Sequence, residues 1–140
     1  MNHIVVIGFM GSGKSTIAAL LDKDYVDMDV EITNKIGMSI ADFFASQGEP
    51  AFREIESQVL ADLAGSDHVI STGGGVVVSP ANREILRNNP DTIYLRADFD
   101  TLYHRIQSDK ENIRPLFVNN SKAAFKAIFD GRQELYEAAA

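Results

Sequence analysis

Four short apolar runs divide the chain, and the segments between them carry helical spacing. Residues 4–7 (Ile-Val-Val-Ile), 25–26 (Tyr-Val), 69–71 (Val-Ile-Ser) and 92–95 (Thr-Ile-Tyr-Leu) are rich in β-branched and aromatic side chains and read as strands. The first is apolar throughout, as expected of a parallel strand buried on both faces. Residues 40–46 and 53–64 have helical periodicity, with Ile55, Val59, Leu60 and Leu63 on one face of the second. Pro80 opens a further helix over 81–88 and Pro90 closes it; 98–107 and 122–137 are also helical by spacing. Strands alternating with helices predict an α/β domain wound around a central parallel sheet. Such sheets bind ligands beyond the carboxyl ends of their strands. Chemically useful residues are therefore expected just after each strand.

The sequence places them there. After the first strand, residues 8–16 read Gly-Phe-Met-Gly-Ser-Gly-Lys-Ser-Thr, which fits the phosphate-loop pattern G-x-x-x-x-G-K-[ST] in the strand–loop–helix context that gives the pattern its meaning. Gly11 and Gly13 can take backbone angles closed to other residues, so that successive N–H groups turn inward around a phosphate. The helix that follows adds unpaired donors and a partial positive charge. Lys14 can bridge the outer phosphates and the Ser15 hydroxyl can ligate Mg²⁺. After the second strand come Asp27 and Asp29. In extended chain their carboxylates share a face, from which they can hold Mg²⁺ through water, take a proton from a hydroxyl, or bind substrate hydroxyls. After the third come Ser71, Thr72 and the glycines 73, 74 and 75, which permit close approach of backbone to a ligand.

Composition narrows the partners. The 140 residues suit one domain, 1–140. Thirteen basic against twenty acidic side chains give a net charge of −7, which argues against nucleic acid. The absence of cysteine excludes disulfide and thiolate chemistry. No run reaches the length of a membrane span, and the N-terminus leads straight into a strand. A soluble cytoplasmic protein, monomeric and without membrane or nucleic-acid partners, is the expectation.

The ordered series of residues 8–16, Asp27-x-Asp29, Phe52-Arg53, Thr72-Gly73-Gly74-Gly75, Arg114-Pro115-Leu116 and Arg132-x-x-Leu135-Tyr136 resembles the shikimate kinase family over nearly the whole chain. The resemblance implies a three-layer P-loop kinase fold related to nucleoside monophosphate kinases. It implies transfer of the γ-phosphoryl group of ATP, with Mg²⁺, to the 3-hydroxyl of shikimate. Gly11, Ser12, Gly13, Lys14, Ser15 and Thr16 would then bind ATP. Arg53 and Arg132 would grip the substrate carboxylate, for which a guanidinium fork is well shaped. Asp29, Gly74 and Gly75 would meet the ring hydroxyls. Asp27 would be the candidate base beside the Mg²⁺ shell, which Ser71 would also touch through water. Glu56 would orient Arg53, and Phe44 and Phe52 would wall the pocket. Arg105 would stack on adenine or pair on the surface. Arg114, in a lid over about 108–120, would reach the transferring phosphate, while helices over about 31–64 would hold substrate.

Two departures from the family pattern stand out. The helix after the phosphate loop is about one turn short, with only Asp22, Lys23 and Asp24 before the next strand, close to the minimum for a parallel crossover. The chain ends at Ala138-Ala139-Ala140, so a last edge strand is expected to be missing. A related kinase acting on gluconate would share the phosphate loop without needing two arginines for a ring acid. A nucleotide-binding protein without catalysis is the alternative of a different class.

Overall fold

The computed structural model describes residues 4–63, 66–108 and 120–140. Among these residues four parallel strands form one sheet, β1 (Val5–Ile7), β2 (Val26–Asp27), β3 (Ile70–Ser71) and β4 (Thr92–Tyr94), in the order β2-β3-β1-β4. The strand that leads into the phosphate loop is thus interior, and its three residues are fully enclosed. Parallel register sets Val5 beside both Ile70 and Thr92, and Asp27 beside Ser71. All four strands lie within a residue of the positions that the apolar runs predict.

Seven helices accompany the sheet among the described residues: α1 (Lys14–Leu21), α2 (Met28–Ile36), α3 (Ile40–Gln47), α4 (Glu49–Leu63), α5 (Pro80–Asn88), α6 (Phe99–Ser108) and α7 (Lys122–Ala139). The predicted helix over 53–64 starts earlier, at Glu49. The chain after β2 also corrects the sequence reading. Asp27 and Asp29 do not share an extended face, because Asp27 is the N-cap of α2 and Asp29 lies in its first turn. The Asp27 Oδ1 accepts the backbone N–H groups of Asp29 at 3.0 Å and Val30 at 3.4 Å, satisfying two donors that helix geometry leaves open. Met28, Ile32 and Ile36 then repeat every fourth residue toward the core, and Gly37 ends the helix in the left-handed region at φ 70°.

The short crossover through α1 closes by a local device. The Asp22 side chain accepts from Asp24 N at 2.9 Å, turning the chain directly into β2. Its other oxygen accepts from Val69 N at 3.1 Å and lies 3.1 Å from His68 Nδ1, which ties the turn to the start of β3. These bonds, with Asp24's first, hold the Asp22 carboxyl below its ordinary pKa.

One aromatic cluster carries α7 onto the sheet. Phe9 meets Phe125 and Phe129 edge-on at 5.4 and 5.2 Å, and Phe99 of α6 packs against both of those α7 rings. Burying Phe9 here anchors the phosphate loop to the helix that bears Arg132. No helix among the described residues is long and apolar enough to cross a membrane.

Candidate functional site

The phosphate loop and the glycines 73–75 follow β1 and β3, Asp27 ends β2, and Asp29 and Arg53 face those glycines from α2 and α4. The phosphate loop leaves β1 with Gly11 at φ 80° and Gly13 at φ 93°, both in the left-handed region that a side chain disfavours. A Cβ on Gly8 would lie 2.7 Å from Ser12 Oγ, so the loop closes only because Gly8 has none. Gly13 is the N-cap of α1, which directs the first N–H groups of that helix at the loop. Lys14 is buried, and its Nζ donates to the carbonyls of Gly8 at 2.7 Å and Phe9 at 3.0 Å. Arg105 of α6 donates to the Gly11 carbonyl at 3.1 Å, which sets its guanidinium on the rim of the loop. Ser15 and Thr16 are exposed at the start of α1.

A hard-cation set lies beside the loop. Ser15 Oγ is 3.2 Å from Ser71 Oγ, and Ser71 is the register partner of Asp27 on the adjoining strand. Two hydroxyls and a carboxylate are oxygen donors of the kind Mg²⁺ takes while keeping waters of its own. These residues fit that ion. Thr72, next in the chain, is buried and donates to Val6 O at 2.8 Å, which locks the end of β3 to β1.

The glycines at 73, 74 and 75 join the loop to a second, charged region. Each missing side chain is space that another group fills. A Cβ on Gly73 would stand 2.7 Å from Asp29 Oδ1, and one on Gly74 would stand 3.1 Å from the backbone nitrogen of Met10 in the phosphate loop. One on Gly75 would fall within the Arg53 guanidinium, 2.5 Å from Nη2. The turn therefore brings Asp29, the phosphate loop and Arg53 against three consecutive residues. The 3₁₀ turn Val76–Val78 follows, and α5 fastens it. Asn82 Nδ2 donates to Val76 O at 3.0 Å, and Arg83 Nη1 donates to Val77 O at 2.8 Å and Val78 O at 3.1 Å.

Arg53 is held from two sides. Its Nη1 donates to both oxygens of Glu56, at 3.1 and 3.2 Å, three residues along α4. Phe44 and Phe52 lie under the guanidinium at 5.9 and 5.3 Å, Phe52 as part of the core and Phe44 half-buried. Arg53 Nε makes no hydrogen bond but lies 3.6 Å from a Glu49 carboxylate oxygen, while Arg132 Nη1 on α7 is buried without a hydrogen-bond partner. Arg132 sits over the Phe9 ring at 5.9 Å. Burial lowers its pKa and the Arg53 charge adds to the effect. Burial likewise pushes the Glu56 carboxyl up, and the nearby Arg53 only partly reverses this. Two guanidiniums thus converge where Glu56 is the one fully buried carboxylate among the described residues, with a buried Arg132 N–H donor left unsatisfied. That combination is suited to an anion.

Arg114, and all but the ends of the predicted lid, lie outside the described residues. The sequence reading gave Tyr136 and Thr72 no role, although both belong to motifs it quoted. The Tyr136 hydroxyl donates to the Gly74 carbonyl. A buried phenol needs such a partner, but its sequence gives no sign of which one.

The family model for shikimate kinase matches residues 10–140. The chain is 54% identical over 134 residues to a shikimate kinase of Streptococcus gordonii, covering 95% of this chain and 83% of the relative. It is 45% identical over 141 residues to one of Enterococcus faecalis, covering 98% and 84%. Among solved structures it resembles a shikimate kinase from Acinetobacter baumannii in complex with shikimate. The TM-score is 0.89 at 32% identity, over all of this chain and 80% of that one. A Bacteroides thetaiotaomicron shikimate kinase matches with a TM-score of 0.86 at 27% identity, over 98% and 82%.

Proposed function

The chain belongs to the shikimate kinase family, and from that premise we propose how its own residues divide the work of moving the γ-phosphoryl group of ATP to the 3-hydroxyl of shikimate. The reaction gives shikimate 3-phosphate in aromatic amino-acid biosynthesis, and the family uses ATP with Mg²⁺. The observation that carries the residue assignment is the 73–75 turn, whose three missing side chains are filled by Asp29, the phosphate loop and Arg53.

Nucleotide phosphates are bound by the backbone of residues 11–16. Lys14 leaves the Gly8 and Phe9 carbonyls to meet the outer phosphates, exchanging two neutral acceptors for charged ones. Arg105 borders the nucleotide from the rim of the loop. Ser15 would hold Mg²⁺ directly, with Asp27 and Ser71 reaching it through water; the ion offsets charge on the transferring phosphate.

Shikimate binds by its acid and its hydroxyls. Arg53 and Arg132 take the carboxylate, which supplies an acceptor for the buried Nη1 of Arg132. Asp29 accepts from ring hydroxyls, and the backbone of Gly74 and Gly75 lines the same side. This orientation turns the 3-hydroxyl toward Asp27. Phosphoryl transfer asks little of a base, so the main task of Asp27 is to position that hydroxyl and accept its proton late. The helix cap that occupies Oδ1 fixes the carboxylate for this purpose. Arg114 supplies further positive charge to the transferring group from the lid segment.

The test is coupled ADP release with Mg²⁺ and ATP across a panel of acceptors. Shikimate is expected to be turned over, with gluconate and nucleoside monophosphates largely ignored. Comparable turnover of gluconate would mean that the paired arginines do not select a ring acid.

A further inference from the structure

The Tyr136 phenol is enclosed, 1% exposed, and takes no part in the scheme above. Its ring stacks on Tyr94 at 5.1 Å, and its hydroxyl donates to the Gly74 carbonyl. Burial pushes its pKa well up, so the group remains a neutral donor. Arg132 lies on the same helix, one turn earlier, so the phenol's bond ties the stretch of α7 that bears it to the glycine turn. The hydroxyl gives its proton to the carbonyl of Gly74, which is flanked in the chain by Gly73 and Gly75, where Asp29 and Arg53 make their contacts.

Arg53 is registered to the same turn, with its guanidinium in the space that a Cβ on Gly75 would take. Two like charges approach one another there, and repulsion tends to separate them. A grip on one carboxylate needs both at a fixed spacing. We infer that Tyr136 is a positioning residue for the substrate acid: its hydroxyl fastens to Gly74 the turn of α7 that carries Arg132, so that both guanidiniums are set from one glycine dipeptide. The inference rests on the reading that Arg53 and Arg132 grip the carboxylate.

Tyr136→Phe keeps the ring and its stack but removes the link. The KM for shikimate should rise roughly ten-fold, the scale of one lost buried hydrogen bond. The turnover number and the KM for ATP should stay within about two-fold, as expected when only substrate binding is touched. Tyr94→Phe removes the other hydroxyl of the same stack and should leave the shikimate KM unchanged. Arg132→Ala should raise that KM by itself, and adding Tyr136→Phe should raise it no further. A lowered melting temperature with an unaltered shikimate KM in Tyr136→Phe would overturn the inference, as would additive effects in the double variant. If Arg132→Ala left the KM unchanged, the carboxylate grip itself would fail, an outcome that the single variants separate from failure of the link.

Discussion

The phosphate loop is nine consecutive residues, whereas the acid-binding region takes Asp29 from α2, Arg53 and Glu56 from α4, glycines 73–75 from the end of β3, and Arg132 and Tyr136 from α7. The two meet where Gly74 approaches the backbone of Met10. The loop works chiefly through backbone N–H groups aimed by two left-handed glycines and a helix start, so its chemistry is local. The acid region works through side-chain charges that are buried together and kept apart by contacts between distant segments. A local site should fail through its own residues. A distributed site should fail wherever the spacing between segments is disturbed.

The sharpest separation of the two should come from Lys14→Ala. Loss of the one phosphate-bridging charge in the loop should lower turnover by roughly 10²–10³, the cost of removing one strong donor from a transferring group. Shikimate binding, measured by calorimetry, should persist. Parallel loss of shikimate affinity would show that the two regions are not independent.

Gly75→Ala probes the distributed side with a single carbon. Gly75 has φ −97°, which alanine adopts without strain, so only the contact with Arg53 changes. The guanidinium is the end of a long side chain and can shift by loosening its bonds to Glu56, leaving the fold intact. The KM for shikimate should rise by a factor corresponding to about 1–3 kcal/mol, with the melting temperature nearly unchanged. Gly74→Ala should behave differently, because its Cβ would press on the Met10 backbone and disturb the KM values for both ATP and shikimate. Equal effects of the two substitutions on the ATP KM would erase the distinction.

The smallest effect concerns Glu56. Burial holds its carboxyl above the ordinary value of 4.5. Over the interval from that value up to the raised folded one, the folded protein binds more protons than the unfolded chain. The contribution of Glu56 to stability is then fully present below 4.5 and is lost as pH rises through the folded pKa. Glu56→Gln removes this titration. In chemical denaturation, the stability of the parent relative to Glu56→Gln should decline as pH rises through that interval and level off above it. A difference that grew with pH would show that pairing with Arg53 outweighs burial.

How much could be read from the sequence follows the same division. The loop motif, the apolar strands and most helices rest on neighbours in the chain, and the structure places them within two residues, except that α4 starts four residues before its spacing predicts and α2 was not read from spacing at all. The start of α2 was misjudged because Asp-x-Asp satisfies both strand alternation and a helix cap. The four-residue spacing of Met28, Ile32 and Ile36, with Gly37 beyond, was the signal that decides between them. Asp22 looked like part of a plain connector, but its bonds to Asp24 and Val69 are what let so short a crossover close.

The sequence by itself determined that a phosphate is bound, on which strand, and beside which acidic and glycine-rich segments. Those properties follow from dihedral freedom, periodicity and charge, which neighbouring residues set. Only the tertiary structure decided which groups fill the space above each of three glycines, that Arg53 binds a buried carboxylate while Arg132 keeps a buried unpaired donor, and that a phenol on α7 bonds the glycine turn. Such facts depend on segments dozens of residues apart reaching one place. Packing fixes that, and no local pattern encodes it.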